Sequence, residues 1–159
     1  MRKNSKGFTL FELVIAMALL TTLSTMSYIS FVSYTLKQHS SRAQQEMIKL
    51  GVQLEQYKSN NFTYSGFSTS TVSLPKDASA QGGSGKKVKY NLTVVDTFNG
   101  NSLTSSSAKG NQWAIKAVST DTDNYTYLLN SDGVQCRNKV SDRVTYKTCG
   151  ASLQGSEGW

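Results

Sequence analysis

The sequence predicts an α+β fold: one long N-terminal helix, apolar in its first half and amphipathic in its second, packed on an antiparallel β-sheet of about four strands. Three observations predict it. From Phe8 to Leu36 there is one charged side chain, Glu12. Apolar residues then recur at three- and four-residue steps as far as Tyr57, the period of one helix face. Beyond Lys87, short runs alternate apolar and polar side chains, the period of a half-buried strand.

The apolar run comes first. At about 1.5 Å of rise per residue it makes a helix of roughly 40 Å, against a bilayer core of about 30 Å. Arg2, Lys3 and Lys6 precede it, so the N-terminus is expected on the cytoplasmic side and the rest outside, a single pass. An ordinary secretory signal has an apolar region of about 7–15 residues and a small-residue cleavage site. This run is longer and carries an acid near its start. A carboxylate left unpaired in hydrocarbon costs several kcal/mol, so Glu12 should have a partner.

These residues resemble the N-terminus of type IV prepilins and of the related pseudopilins of type II secretion. Gly7, Phe8, Thr9, Leu10 and Glu12 match that pattern position by position behind a short basic leader. The resemblance implies cleavage after Gly7 by the prepilin peptidase/methyltransferase and N-methylation of Phe8. It also implies that Glu12 pairs with the N-terminal amine of a neighbouring subunit and so sets axial register. The implied partners are other pilin subunits, in a homo- or hetero-filament. The implied location is the inner membrane before assembly, N-terminus cytoplasmic, and an extracellular pilus afterwards. The corresponding plan is a leader over 1–7, a transmembrane and assembly half-helix over 8–34, and a pilin-like extracytoplasmic head over 35–159. A structural subunit, a minor pilin, is the leading reading; a type II secretion pseudopilin and a DNA-binding minor pilin for competence are the rivals. The chain departs from the family in one respect. Many type IV pilins carry a helix-breaking proline near the position of Ile29, and here the only proline is Pro75, which removes the usual reason for a kink.

The helix is expected to continue from about Thr9 to Ser59, with Leu36, Ala43, Met47, Leu50, Leu54 and Tyr57 on one stripe and most charges off it. Such a stripe needs a cover, which the following residues can supply. Residues 61–85, polar and punctuated by Gly66, Pro75, Gly82, Gly83 and Gly85, read as a long connecting loop. Strands follow at Val88–Val94, around Trp113, Ile115 and Ala117, around Tyr125, Tyr127 and Leu129, and through Val134 and Cys136. Asn99-Gly100 with a serine-rich loop to Gly110, and Asp132-Gly133, separate them.

The formal charge of +7 falls to +4 once a leader containing Arg2, Lys3 and Lys6 is removed, leaving 14 basic against 10 acidic groups. That permits attraction to anionic surfaces without singling out nucleic acid. Cys136 and Cys149 are the only cysteines. On the outer side they are expected to pair, as a pair near the C-terminus does in many pilins; two free thiols are the alternative. Zinc is not expected, because the sole histidine, His39, lies far away in sequence.

No serine–histidine–acid or cysteine–histidine set, phosphate-binding glycine loop or clustered ligand set stands out, so neither an enzyme nor a cofactor is expected. Asp121, Asp123, Asn124 and Asp132 offer oxygens for calcium but lack the terminal bidentate glutamate of a calcium loop, and turn formation accounts for them. Lys86, Lys87 and Lys89 form one basic run; Arg137, Lys139, Arg143 and Lys147 decorate the cysteine-bounded loop. A solvated polar face is the simplest reading. DNA binding competes with it and requires these cations to converge.

Overall fold

The computed structural model describes residues 7–68, 71–76 and 89–159, and the backbone alone for 25–30. The chain divides into two compact units, Met1–Lys37 and Gln38–Trp159. The first helix, α1, runs from Leu10 to Asn61, close to the expected Thr9–Ser59.

In the first unit the helix starts where its chemistry dictates. Thr9 Oγ1 accepts the Glu12 backbone N–H at 3.3 Å, which places Thr9 at the N-cap and Glu12 three residues on, the spacing of a capping box. Three hydroxyls inside the apolar run are satisfied locally: Thr21 donates to Ala18 O, Thr22 to Leu19 O and Ser24 to Leu20 O. Each therefore carries its own acceptor into an apolar environment.

In the second unit the expected stripe is the buried one. Ala43, Met47, Leu50 and Leu54 are inaccessible or nearly so, while Tyr57 at its end is half-buried. Gly51 lies between them because a Cβ there would stand 3.2 Å from the Trp113 ring, so its absence lets the helix approach the sheet. Among the described residues the sheet has six antiparallel strands in chain order: β1 (Val72–Leu74), β2 (Tyr90–Asp96), β3 (Trp113–Ser119), β4 (Thr126–Asn130), β5 (Gln135–Asn138) and β6 (Glu157–Gly158). Tyr90, Leu92, Ile115, Ala117, Tyr127 and Leu129 turn to one face and pack with the helix stripe. Val95, Ala114, Leu128 and Cys136 turn to the other, where Val144 and Cys149 cover them.

The α+β class and the four interior strands agree with expectation; the count does not. β1 falls inside the predicted 61–85 loop and is too short to show an alternating pattern. β6 has two residues, one of them glycine, and pairs through its backbone with Cys136 and Arg137. Such strands are specified by the edges they join rather than by their own side chains.

The loop between β2 and β3 is organised by Asp96, which is buried. Its carboxylate accepts the backbone N–H groups of Phe98 at 2.8 Å, Lys109 at 2.6 Å and Gly110 at 3.0 Å. Gly110 has φ +64°, and a Cβ there would lie 2.5 Å from Ser65 N. The glycine thereby brings its carbonyl to the Tyr64 N–H at 2.9 Å and joins this loop to the chain leaving α1.

Candidate functional site

The first candidate is the N-terminal segment. Phe8 is 82% exposed, and Leu10, Phe11, Leu13, Val14, Met17, Leu19, Leu20 and Leu23 are all exposed as well. Burying a side chain of this kind gains about 1.5–3 kcal/mol, so a surface this apolar is incomplete without a cover. Glu12 stands in the first turn, where the partial positive charge of the helix N-terminus favours a carboxylate. Among the described residues no cation pairs with it. The leader residues Arg2, Lys3 and Lys6 lie outside the described residues.

Among the described residues, no helix is long and apolar enough to cross a membrane. The sequence expectation of a spanning run rests on the whole stretch from Phe8 to Leu36.

The second candidate is the C-terminal loop. Cys136 and Cys149 are joined by a disulfide across 13 residues, with their Cα atoms 5.9 Å apart. Inside and beside this loop, Asn138 Nδ2 donates to Cys149 O and to Gln154 O, and its Oδ1 accepts the Val140 N–H. Trp159 Nε1 donates to Leu128 O and Cys136 O. A Cys136→Ser, Cys149→Ser chain is expected to lose about 3 kcal/mol of head stability through the restored freedom of the unfolded loop. Urea unfolding with and without reductant checks this, and reductant should leave the double variant unchanged.

Of the seven basic residues weighed for nucleic acid, five lie among the described residues. Lys86 and Lys87 lie outside the described residues. Arg137 pairs with Glu157 at 2.8 Å and lies over the Tyr125 ring at 4.4 Å. Lys139 approaches the same ring at 5.5 Å. Arg143 donates to Gln154 O. These two arginines fasten the C-terminal segment to the fold, while Lys147 is exposed. Lys89 precedes β2, where its carbonyl accepts the Thr120 N–H.

A buried polar cluster ties the helix to the strand ends near Lys89. Ser40 Oγ donates to Asn124 Oδ1 and lies 3.3 Å from the Tyr90 hydroxyl, which donates to Tyr125 O at 2.8 Å. Burial pushes the Tyr90 phenol up from its ordinary value. Burial, then the charges of Lys89 and Arg42, hold the His39 imidazole below its ordinary value, with Asp121 opposing them. At the far end of α1, Glu55 Oε1 accepts from the Tyr64 hydroxyl at 2.8 Å and from Trp113 Nε1 at 3.1 Å. Burial and that hydrogen bond push the Tyr64 phenol up to about 12.

The oxygens weighed for calcium accept hydrogen bonds from nearby backbone and side-chain donors. Asp121 Oδ1 accepts the Asp123 N–H, Asn124 Oδ1 the Tyr125 N–H, and Asp132 Oδ1 the Gln112 side-chain amide. Among the described residues, no group of three or more His, Cys, Asp or Glu side chains is placed to hold a metal. Sequence reasoning missed Asp96 and Asn138 as organisers. An Asx side chain bonding the N–H two residues on leaves only a faint signal, an Asp or Asn at the end of an apolar strand.

No curated protein and no solved structure matches the chain. Residues 2–28 match the family described as the prokaryotic N-terminal methylation motif, so the chain carries the signature of type IV pilins and pseudopilins on the segment whose apolar side chains stand exposed.

Proposed function

We propose that the protein is a structural subunit of a type IV pilus, a minor pilin, processed after Gly7, methylated at Phe8 and polymerised through the first half of α1. The methylation motif itself indicates a structural protein of the pilin or pseudopilin kind, assembling with other such subunits after processing by a prepilin peptidase. The observation that carries the reading further is the apolar surface of Leu10 to Leu23 with one acid in its first turn. Lipid covers such a surface before assembly, and the same surface of neighbouring subunits covers it afterwards. Membrane insertion rests on the full run from Phe8 to Leu36, uncharged apart from Glu12. The absence of the helix-breaking proline is what favours a minor over a major pilin. The disulfide-tied C-terminus favours a pilus subunit over its secretion counterpart, because a cysteine pair at that place resembles the pilin pattern.

Processing is the direct test. Mass spectrometry of the native protein should find a methylated Phe8 at the N-terminus of filament-borne chains. Replacing Gly7 by a bulky residue should hold the precursor in the membrane. A leader from Met1 to Gly7 still attached to filament-borne protein sinks the proposal. Subunit abundance in purified filaments separates a minor from a major pilin.

A further inference from the structure

The sequence contains a single Asn-Gly pair, Asn99-Gly100, near the start of the loop between β2 and β3. Asn99 is exposed to water, and Gly100 carries no side chain to shield its backbone nitrogen. We propose that Asn99 is a latent modification site, a side-chain amide that the folded loop protects and that converts to an acid when the loop opens. The chemistry needs water and nothing else. Gly100 N attacks Asn99 Cγ, a new C–N bond forms, and the Cγ–Nδ2 bond breaks as ammonia leaves with the amide proton. Water then opens the five-membered imide at either carbonyl, leaving an aspartyl or an isoaspartyl residue.

The loop ties down each reacting group. Asn99 Nδ2, the leaving group, donates to Ser107 O at 2.7 Å, and Asn99 Oδ1 accepts the Asn101 N–H at 3.0 Å. The nucleophile is engaged as well, since the Gly100 N–H donates to Asp96 O at 2.8 Å. Ring closure requires the side chain to turn until Cγ meets Gly100 N, and requires that nitrogen to give up its proton. The reaction therefore passes through an opened loop. Ser107 is itself held, because its hydroxyl accepts from Asn101 Nδ2 at 2.9 Å and the following Lys109 and Gly110 amides are fixed by the Asp96 carboxylate. The change is one-way. In the product an oxygen replaces Nδ2 and faces the Ser107 carbonyl, acceptor against acceptor, so that bond does not form again.

The inference is independent of the assembly reading, since every group in it belongs to one loop of the head. The experiment incubates the full-length protein in detergent micelles, in mildly alkaline buffer, beside the same protein in urea and a synthetic peptide of residues 96–110. Conversion at Asn99 is followed by peptide mass and by separation of the aspartyl and isoaspartyl products. The folded chain should convert at least about tenfold more slowly than the peptide, the effect of one or two net hydrogen bonds on the opening equilibrium. The protein in urea should match the peptide. Asn101 is exposed and its side-chain amide bonds the Ser107 hydroxyl, so Asn101→Ala should keep the fold and convert several-fold faster than wild type. Asp96→Ala should approach the peptide. Asn99→Asp should speed hydrogen exchange at the Gly100 and Lys109 amides. Conversion of the folded chain at the peptide's rate, or a rate that neither Asn101→Ala nor Asp96→Ala alters, overturns the protection. No product in urea, or product without isoaspartate, overturns the site. Unchanged exchange in Asn99→Asp overturns the one-way release.

Discussion

Asp96→Ala should cost the head about 3–5 kcal/mol, a large share of the 5–15 kcal/mol that holds a domain of ordinary stability. The size follows from what the carboxylate does. It collects three backbone N–H groups, from Phe98, Lys109 and Gly110, in a residue that is 1% exposed. Alanine leaves these donors without their acceptor, and each buried unpaired N–H costs about 1–3 kcal/mol. Some of the loop would reach water by opening, which keeps the total below the simple sum. Opening has its own consequence, because Gly110 O then releases the Tyr64 N–H and loosens the turn after α1. Asp96→Asn retains one acceptor oxygen and should fall between the two. Urea unfolding in detergent, followed by fluorescence of the buried Trp113, measures all three. A loss under about 1 kcal/mol for alanine would show that the amides find water in the native state.

What the sequence made legible was what periodicity records. The helix stripe of Ala43, Met47, Leu50 and Leu54, and the strands on either side of Trp113 and Tyr127, announce themselves because every second, third or fourth residue is apolar. The sheet's second cover escaped notice for a physical reason. Val144 and Cys149 reach it from a loop with no period, pinned by the disulfide and by the Asn138 amide. β1 and β6 escaped likewise, because three and two residues are too few to carry a pattern. On the candidate site, the order Gly7, Phe8, Glu12 and apolar run was readable in full, since it is a linear signal. The basic residues were not. Sequence groups Arg137, Lys139, Arg143 and Lys147 by nearness in the chain, whereas Glu157, Tyr125 and Gln154, far away in the chain, decide what the two arginines do.

Glu12→Gln should leave the subunit inserted and processed but nearly absent from filaments. The capping geometry makes this substitution informative. Glu12 sits three residues after the Thr9 N-cap, a position where glutamate and glutamine serve alike, so the variant keeps the helix start and removes only the charge. Insertion should survive because a neutral amide is cheaper in hydrocarbon than a carboxylate. Cleavage should survive because the bond after Gly7 lies several residues away. Assembly is where the charge matters: an incoming methylated amine at Phe8 would enter an apolar filament core without its counter-charge, a loss on the order of 3–5 kcal/mol. Since every 1.4 kcal/mol is about tenfold in an equilibrium, incorporation should fall roughly a hundredfold or more. The readout is the processed, membrane-resident and filament-incorporated fraction of this subunit rather than the number of pili, because other subunits can carry assembly on. Thr9→Ala is the control. It removes the cap at about 1 kcal/mol while keeping the charge, and it should incorporate at close to the normal level. If Thr9→Ala fails and Glu12→Gln assembles, the motif acts by starting the helix, and the charge pair between subunits falls.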